Sequence, residues 1–277
     1  MKAVKIKDLS FSYESQGNNP ADKTVYALDK INLELDAGKK IAFLGANGSG
    51  KTTLFYHLNG LNLPQSGEVE VLGLKVSKGI RKELRKKVGM VFENPDNQLI
   101  STTVYDDVAF GLRNYRWSEE RIKEKVHAVL GKVQAEELVD SSPYNLSWGQ
   151  KKRVAIAGVL AMEPELLVLD EPFSGLDPRV TKSLLALLDW LNSEGKTVII
   201  SAHDVDLAYS WADEVVIMSK GSIVNHGTPD VLHDQQEMEE ASLDTPILAK
   251  VFQTSPFWPQ NTAEARSVVE RLLEGQS

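Results

Sequence analysis

The chain has 277 residues, 42% of them apolar and 25% charged, with 39 acidic residues against 31 Lys and Arg and a formal charge of −8. That composition excludes a disordered or collagen-like chain, and the acidic balance argues against a nucleic-acid partner, which a basic face would announce. The absence of cysteine excludes disulfides, thiol catalysis, thiolate metal sites and iron–sulfur clusters. No apolar run approaches the ~20 residues that span a bilayer, so work at a membrane would require docking onto something else.

In chain order, the first residues alternate charged and apolar side chains, a strand pattern without the apolar core of a signal peptide. Residues 4–11 and 31–35 read as half-buried strands, and residues 40–44 as a short apolar strand running into a Gly-rich loop. Residues 52–58 have helical spacing, and 68–72 and 87–92 read as further strands. Residues 15–24 are polar, with Gly17, Asn18, Asn19 and Pro20, the composition of an exposed and mobile loop. From about residue 93 to 146 the pattern turns helical. Ser118 followed by Glu119 and Glu120 marks a helix start, and Val126, Val129, Leu130 and Val133 supply one apolar face. Residues 166–169 and 197–201 are buried-strand runs with the helix-like 181–191 between them. Strands alternating with helices predict an α/β fold on a mainly parallel sheet covered on both faces. After Gly227, Thr228-Pro229-Asp230 predicts a further helix start. The remainder reads as a separate acidic appendage carrying Phe257, Trp258, Leu272 and Leu273.

Two stretches carry chemistry. Gly45-Ala46-Asn47-Gly48-Ser49-Gly50-Lys51-Thr52, with Thr53 behind it, fits G-x-x-x-x-G-K-[ST] between a strand and a helix. Glycines there let backbone N–H groups converge on phosphate oxygens, and the helix N-terminus adds partial positive charge. Lys51 would neutralise the outer phosphates and Thr52 would offer its hydroxyl to Mg²⁺. The second stretch, Leu166-Leu167-Val168-Leu169-Asp170-Glu171, is an apolar strand ending in two carboxylates. Beside a phosphate loop, Asp170 would hold Mg²⁺ through water and Glu171 would orient or deprotonate the attacking water.

Leu146-Ser147-Trp148-Gly149-Gln150 precedes a Lys-rich helix and reads locally as a capping box, Ser147 at the cap and Gln150 three residues on. Combined with the two nucleotide motifs it resembles the signature sequence of the ATP-binding-cassette ATPases. Ser174-Gly175-Leu176-Asp177 resembles the D-loop of that family, and His203 comes after it in Ser201-Ala202-His203-Asp204. Phe11-Ser12-Tyr13 matches the aromatic position that stacks on adenine. Residues 88–98 and 150–162 look like the energy-coupling-factor type of importer ATPase. Residues 202–212, with Asp204-Val205-Asp206-Leu207, are most similar to the cobalt/nickel branch.

The resemblance implies a P-loop core with a β-rich N-terminal part, an inserted helical subdomain at about 93–146 and a C-terminal helical appendage. Residues 1–228 would form the ATPase domain and 229–277 an extension that helps paired subunits stay together. ATP and Mg²⁺ would be the cofactors, with Tyr13, the phosphate loop, Thr53 and Glu93 around the nucleotide, and Thr52, Asp170 and Glu93 near the metal. Glu171 and His203 would be catalytic. Ser147, Gly149, Gln150 and Asp177 would face the ATP of a second ATPase subunit, either an identical chain or a paralogue. A transmembrane coupling protein would dock in the groove beside the helical subdomain, linking the chain indirectly to a substrate-binding membrane subunit at the cytoplasmic face. The solute would be cobalt or nickel; a vitamin-type importer and a soluble, non-transport ATPase are the alternatives.

Two positions depart from the family pattern. Trp148 stands where a small residue is usual, an arrangement that requires its ring to turn away from phosphate. Glu93 stands where a glutamine is usual, adding negative charge beside a triphosphate.

Overall fold

The computed structural model describes residues 1–13 and 25–274, so the polar loop expected at 15–24 lies outside the described residues. Strands β1 (Lys2–Phe11), β2 (Leu28–Asp36), β4 (Ser66–Val71) and the short β5 (Leu74–Lys75) form an antiparallel sheet in the order β2-β1-β4-β5. A second sheet has the order β10-β9-β3-β8-β7-β6. It is built from β3 (Lys40–Leu44), β6 (Val88–Val91), β7 (Leu166–Leu169), β8 (Thr197–Ala202), β9 (Glu214–Ser219) and β10 (Ser222–Gly227). Every pairing in it is parallel except that of β10 with β9.

The period-2 alternation of the central strands divides the core in two. Ile41, Phe43, Val168, Ile199 and Val216 point to one side, where they meet helix α1 (Lys51–Leu58) and the apolar face of the antiparallel sheet. Their neighbours Ala42, Leu44, Leu169, Ile200 and Ile217 point to the other, beneath the helices. Burial on both faces makes these strands continuous apolar runs, and full burial of a Leu, Ile or Phe side chain stabilises by ~1.5–3 kcal/mol.

Between β5 and β6 lies α2 (Arg81–Lys87). Beyond β6 come α3 (Val104–Asn114), α4 (Glu119–Lys132) and α5 (Trp148–Ala161). Val126, Val129, Leu130 and Val133 of the predicted apolar face are all buried in the helical cluster. Helix α5 also packs over the parallel sheet, so it joins the helical part to the core. Helix α6 (Pro178–Ser193) covers β8, and α7 (Val205–Trp211) comes directly after β8.

The helix expected from Thr228 is a single 3₁₀ stretch, Pro229–His233, and the Thr228 hydroxyl donates to the Asp230 carboxylate instead of capping. The appendage is not detached at its start. Leu232, Met238 of α8 (Gln235–Glu240) and Ala241 are buried within the main core, and Asp206 Oδ1 accepts the N–H of Ile247, the first residue of α9 (Ile247–Phe252). The last helix, α10 (Thr262–Glu274), leaves Leu272 and Leu273 exposed. The other expected apolar contacts are partly engaged within the chain: Trp258 stacks on His233 and Arg271 lies over Phe257.

Candidate functional site: a phosphate loop at the sheet's carboxyl edge

Strands β3, β8, β7 and β6 are parallel neighbours, so their C-terminal ends open at one edge of the sheet. Gly45 follows β3, His203 follows β8, Asp170 and Glu171 follow β7, and Glu93 lies two residues beyond β6. The carboxyl edge of a parallel sheet is where α/β folds bind ligands.

The loop after β3 needs its glycines. Gly45 has φ +148, and a Cβ there would lie 2.2 Å from the Met218 carbonyl oxygen. Gly50 has φ +107, and a Cβ there would lie 2.7 Å from the Ala27 carbonyl oxygen. Among the described residues nothing would meet a Cβ on Gly48. Lys51 is almost wholly buried and folds back, donating to the carbonyls of Gly45 (2.6 Å) and Ala46 (3.3 Å). Burial holds its pKa below the usual lysine value, against the opposing pull of Glu171, Asp170 and Glu93. Ser49 Oγ is buried and, among the described residues, has no hydrogen-bond partner. A glycine cradle, an orphaned hydroxyl and a buried ammonium fit a polyphosphate.

Beside the loop runs a chain of short hydrogen bonds. Thr52 Oγ1 donates to Asp170 Oδ2 at 2.6 Å, and Ser201 Oγ donates to Asp170 Oδ1 at 2.6 Å while accepting the Glu171 N–H at 2.8 Å. Glu171 has φ +44, a left-handed conformation that costs a non-glycine residue about 1–3 kcal/mol and requires such support. Its carboxyl is pushed up to about 7, chiefly by burial, with Asp170 and Glu93 adding to the rise and Lys51 opposing it. Among the described residues Glu171 Oε1 is buried without a hydrogen bond, and His203 Nε2 faces it at 3.0 Å. The His203 pKa is lowered, first by burial and then by Lys51.

Thr52 and Asp170 are hard oxygen donors of the kind Mg²⁺ takes together with substrate phosphates and water. Among the described residues no group of three His, Asp or Glu side chains could hold a metal alone.

Tyr13 is half-exposed two residues beyond β1, its ring edge-on to Phe11, and its hydroxyl lies 3.2 Å from Thr53 Oγ1, at the rim of the same loop. Glu93 is close enough to raise the proton affinity of Lys51, Glu171 and His203.

The remaining expected residues form a second cluster. The capping box is present: Gln150 N–H donates to Ser147 Oγ (3.4 Å) and Ser147 N–H to Gln150 Oε1 (2.8 Å). Asp177 caps α6 through the N–H groups of Arg179 and Val180. Trp148 turns onto Gly175, its indole N–H donating to the Ser174 carbonyl at 3.1 Å. That direction leaves Ser147 exposed.

Sequence reasoning missed three residues. Ser201 closes a strand-like run and carries no local sign of its two bonds to the acidic pair. Lys152 is wholly buried and donates to the Glu93 carbonyl at 2.6 Å; burial lowers its pKa to about 8, while Glu93, Asp170 and Glu171 pull it back up. Gln98 accepts the Phe92 N–H and donates to the Ala155 carbonyl, each at 3.1 Å. With Lys151 donating to Asp96 at 2.7 Å, these contacts tie the Glu93 loop to α5.

Comparison with known proteins agrees with this geometry. The family model for ABC transporters matches residues 28–174. The chain is 42% identical over 274 residues to the energy-coupling factor transporter ATP-binding protein EcfA of Carboxydothermus hydrogenoformans, covering 98% of both chains. It is similar to the solved structure of cbiO1 from Clostridium perfringens, part of the ABC transporter complex cbiONQ. That likeness has a TM-score of 0.73 and 38% identity, and covers 92% of this chain and 96% of the other. The dimeric ATP-binding cassette MJ0796, solved after hydrolysis with ADP and Pi, aligns with a TM-score of 0.74 and 28% identity, over 82% of this chain and 98% of that one. The chain belongs to the ABC transporter family of ATPases, on its energy-coupling-factor branch.

Proposed function

We propose that this chain is the ATP-hydrolysing subunit that powers uptake of a small solute, cobalt or nickel ion, through a membrane complex of the energy-coupling-factor type. One observation carries the catalytic part: Thr52, Asp170, Ser201 and Glu171 are joined in one network beside the glycine cradle. When bound, ATP would supply the phosphoanhydride and Mg²⁺ would supply positive charge to neutralise its oxygens. The chain's own residues do the rest. Tyr13 would offer a face to the base, the loop N–H groups and Lys51 would bind phosphate, and Thr52 and Asp170 would hold the metal, with the Glu93 loop close by. Glu171, its proton affinity raised toward neutrality, takes a proton from the attacking water, and His203 faces the same carboxylate. Ser147, Gly149 and Gln150 at the N-terminus of α5, with Asp177 beside them, serve the ATP of a second subunit, so a two-fold pair completes two sites.

The cobalt or nickel reading is supported by residues 202–212 and by the likeness to cbiO1. Among the described residues no helix is long and apolar enough to cross a membrane. The likeness to an energy-coupling factor transporter ATP-binding protein supports docking at the cytoplasmic face of the cell membrane. A groove of about 640 Å³ between α2 and the helices α3 and α5 supports it. Leu99, Ile100 and Phe110 line it, with Arg81, Lys82 and Arg85 on one rim, a setting for an amphipathic helix of a coupling protein. The exposed Leu272 and Leu273 of α10 support a role for residues 229–277 in pairing.

The test is Glu171→Gln. The variant should keep ATP affinity, lose turnover and accumulate an ATP-dependent dimer visible by light scattering. Near-normal turnover would overturn the assignment.

A further inference from the structure

The residue that departs furthest from the family's signature makes a contact that the proposed function does not use. Trp148 is the first residue of α5, directly after the Ser147 cap. Its indole N–H donates to the Ser174 carbonyl at 3.1 Å, and its ring covers Gly175. A Cβ on Gly175 would lie 2.7 Å from Trp148 Cδ1 and 2.8 Å from Nε1, and Gly175 has φ +74. The ring and the glycine are thus fitted to each other, and no other side chain could stand at 175 without displacing the indole.

Ser174 is in turn bonded to the catalytic loop. Its N–H donates to the Glu171 carbonyl at 3.3 Å, and the Leu176 N–H to the Phe173 carbonyl at 3.1 Å, so residues 171–176 form two overlapping turns. Glu171 begins the first of them in a left-handed conformation. The route from the α5 N-terminus to Glu171 therefore has two hydrogen bonds: indole to Ser174 C=O, and Ser174 N–H to Glu171 C=O.

We propose that Trp148 is a positioning residue for Glu171: it fastens the 174–177 segment to the N-terminus of α5, so that a shift of that helix end is transmitted to the backbone carrying the carboxylate. The inference rests on the proposed role of Glu171. It gives a small glycine, Gly175, and an unusually large neighbour, Trp148, a single physical reason. Trp148 keeps 38% of its surface exposed, so the contact is a tether at the rim of the protein and not a core packing element.

The test compares Trp148→Phe, which keeps the ring and removes the donor, with Trp148→Gly, which removes both. Losing one neutral hydrogen bond in the transition-state geometry should lower kcat by about three- to ten-fold. KM for ATP should stay within about two-fold and the melting temperature within about 2 °C. Gly175→Ala should lower kcat as well, and its penalty should shrink in the Trp148→Gly background, where no indole opposes the new methyl. Glu171→Gln is run in parallel. If it abolishes turnover while Trp148→Phe and Trp148→Gly keep wild-type kcat, the tether is refuted and the role of Glu171 stands. If Trp148→Phe instead raises KM with kcat intact, Trp148 acts in nucleotide binding and the positioning role is refuted. If Glu171→Gln itself keeps turnover, the reading beneath the inference falls, and the inference with it.

Discussion

Replacing Ser201 by alanine removes one oxygen and should disturb both carboxylates of the site. Ser201 is wholly buried. Its hydroxyl donates to Asp170 Oδ1 at 2.6 Å and accepts the Glu171 N–H at 2.8 Å. In Ser201→Ala the Glu171 N–H loses its acceptor, and a buried unsatisfied donor costs about 1–3 kcal/mol. Asp170 loses a charge-assisted bond, ordinarily worth about 1.5–3 kcal/mol, although Thr52 still donates to its other oxygen. Water entering from the open phosphate-loop side would recover part of each loss, so a net destabilisation of about 2–4 kcal/mol is expected. In a chain of this size each kcal/mol moves the melting temperature by roughly 2 °C, giving a fall of roughly 4–8 °C without nucleotide. Turnover should fall as well, because Glu171 sits at φ +44 and Ser201 is the side chain that holds its N–H. Calorimetry of the nucleotide-free protein and steady-state ATP hydrolysis measure the two effects. A melting temperature within 1 °C of wild type, together with unchanged kcat, would refute the reasoning.

The same geometry sets two further outcomes. Because burial lowers the Lys152 pKa from 10.5 to about 8, the unfolded chain binds more protons than the folded one between those values. Stability should therefore rise with pH across that window, and Lys152→Met should flatten the rise by at most about 3 kcal/mol, read from urea unfolding of both proteins at matched pH. Deleting residues 260–277 should leave ATP affinity intact and weaken nucleotide-free pairing in sedimentation. Deleting everything after Thr228 should also lower the melting temperature, because Leu232, Met238 and Ala241 leave the main core.

The strands were legible because burial acts on them in a simple way. A parallel strand covered on both faces becomes a continuous apolar run, and residues 40–44 and 166–169 are β3 and β7 to the residue. The helical face at Val126, Val129, Leu130 and Val133 was legible for the corresponding reason, a 3.6-residue period. Thr228-Pro229-Asp230 misled because its local signal is the same for a 3₁₀ turn and an α-helix. Leu232 of that stretch is buried in the main core, which the local signal does not show. The appendage looked separate because acidic residues surround those few apolar ones, and composition does not reveal which of them is buried.

In the site, the legible residues were those that recur at fixed spacing in one stretch of chain: the glycines, Lys51 and Thr52, Asp170 and Glu171, and the Ser147–Gln150 box. Long-range pairing was not legible. Ser201 is 31 residues from Asp170, and Lys152 is 59 residues from Glu93, so no local pattern links either pair. Lys152 left a weak trace all the same. A lysine leading into Val154, Ala155, Ile156 and Ala157 enters a run buried almost without gaps. A buried ammonium needs oxygen acceptors, and Lys152 takes them from the backbone of the Glu93 loop. That placement answers the question raised by the carboxylate at Glu93. A bound Mg²⁺ and Lys51 would face Glu93, Asp170, Glu171 and a bound phosphate. Lys152 brings a second charge beneath the same loop, held where Glu93, Asp170 and Glu171 all favour its protonated form. The contact at 2.6 Å is to the Glu93 carbonyl, and the Glu93 carboxylate favours the protonated form of Lys152 through space. Glu93 and the buried Lys152 are therefore electrostatically coupled, and replacing Glu93 by glutamine should lower the proton affinity of Lys152.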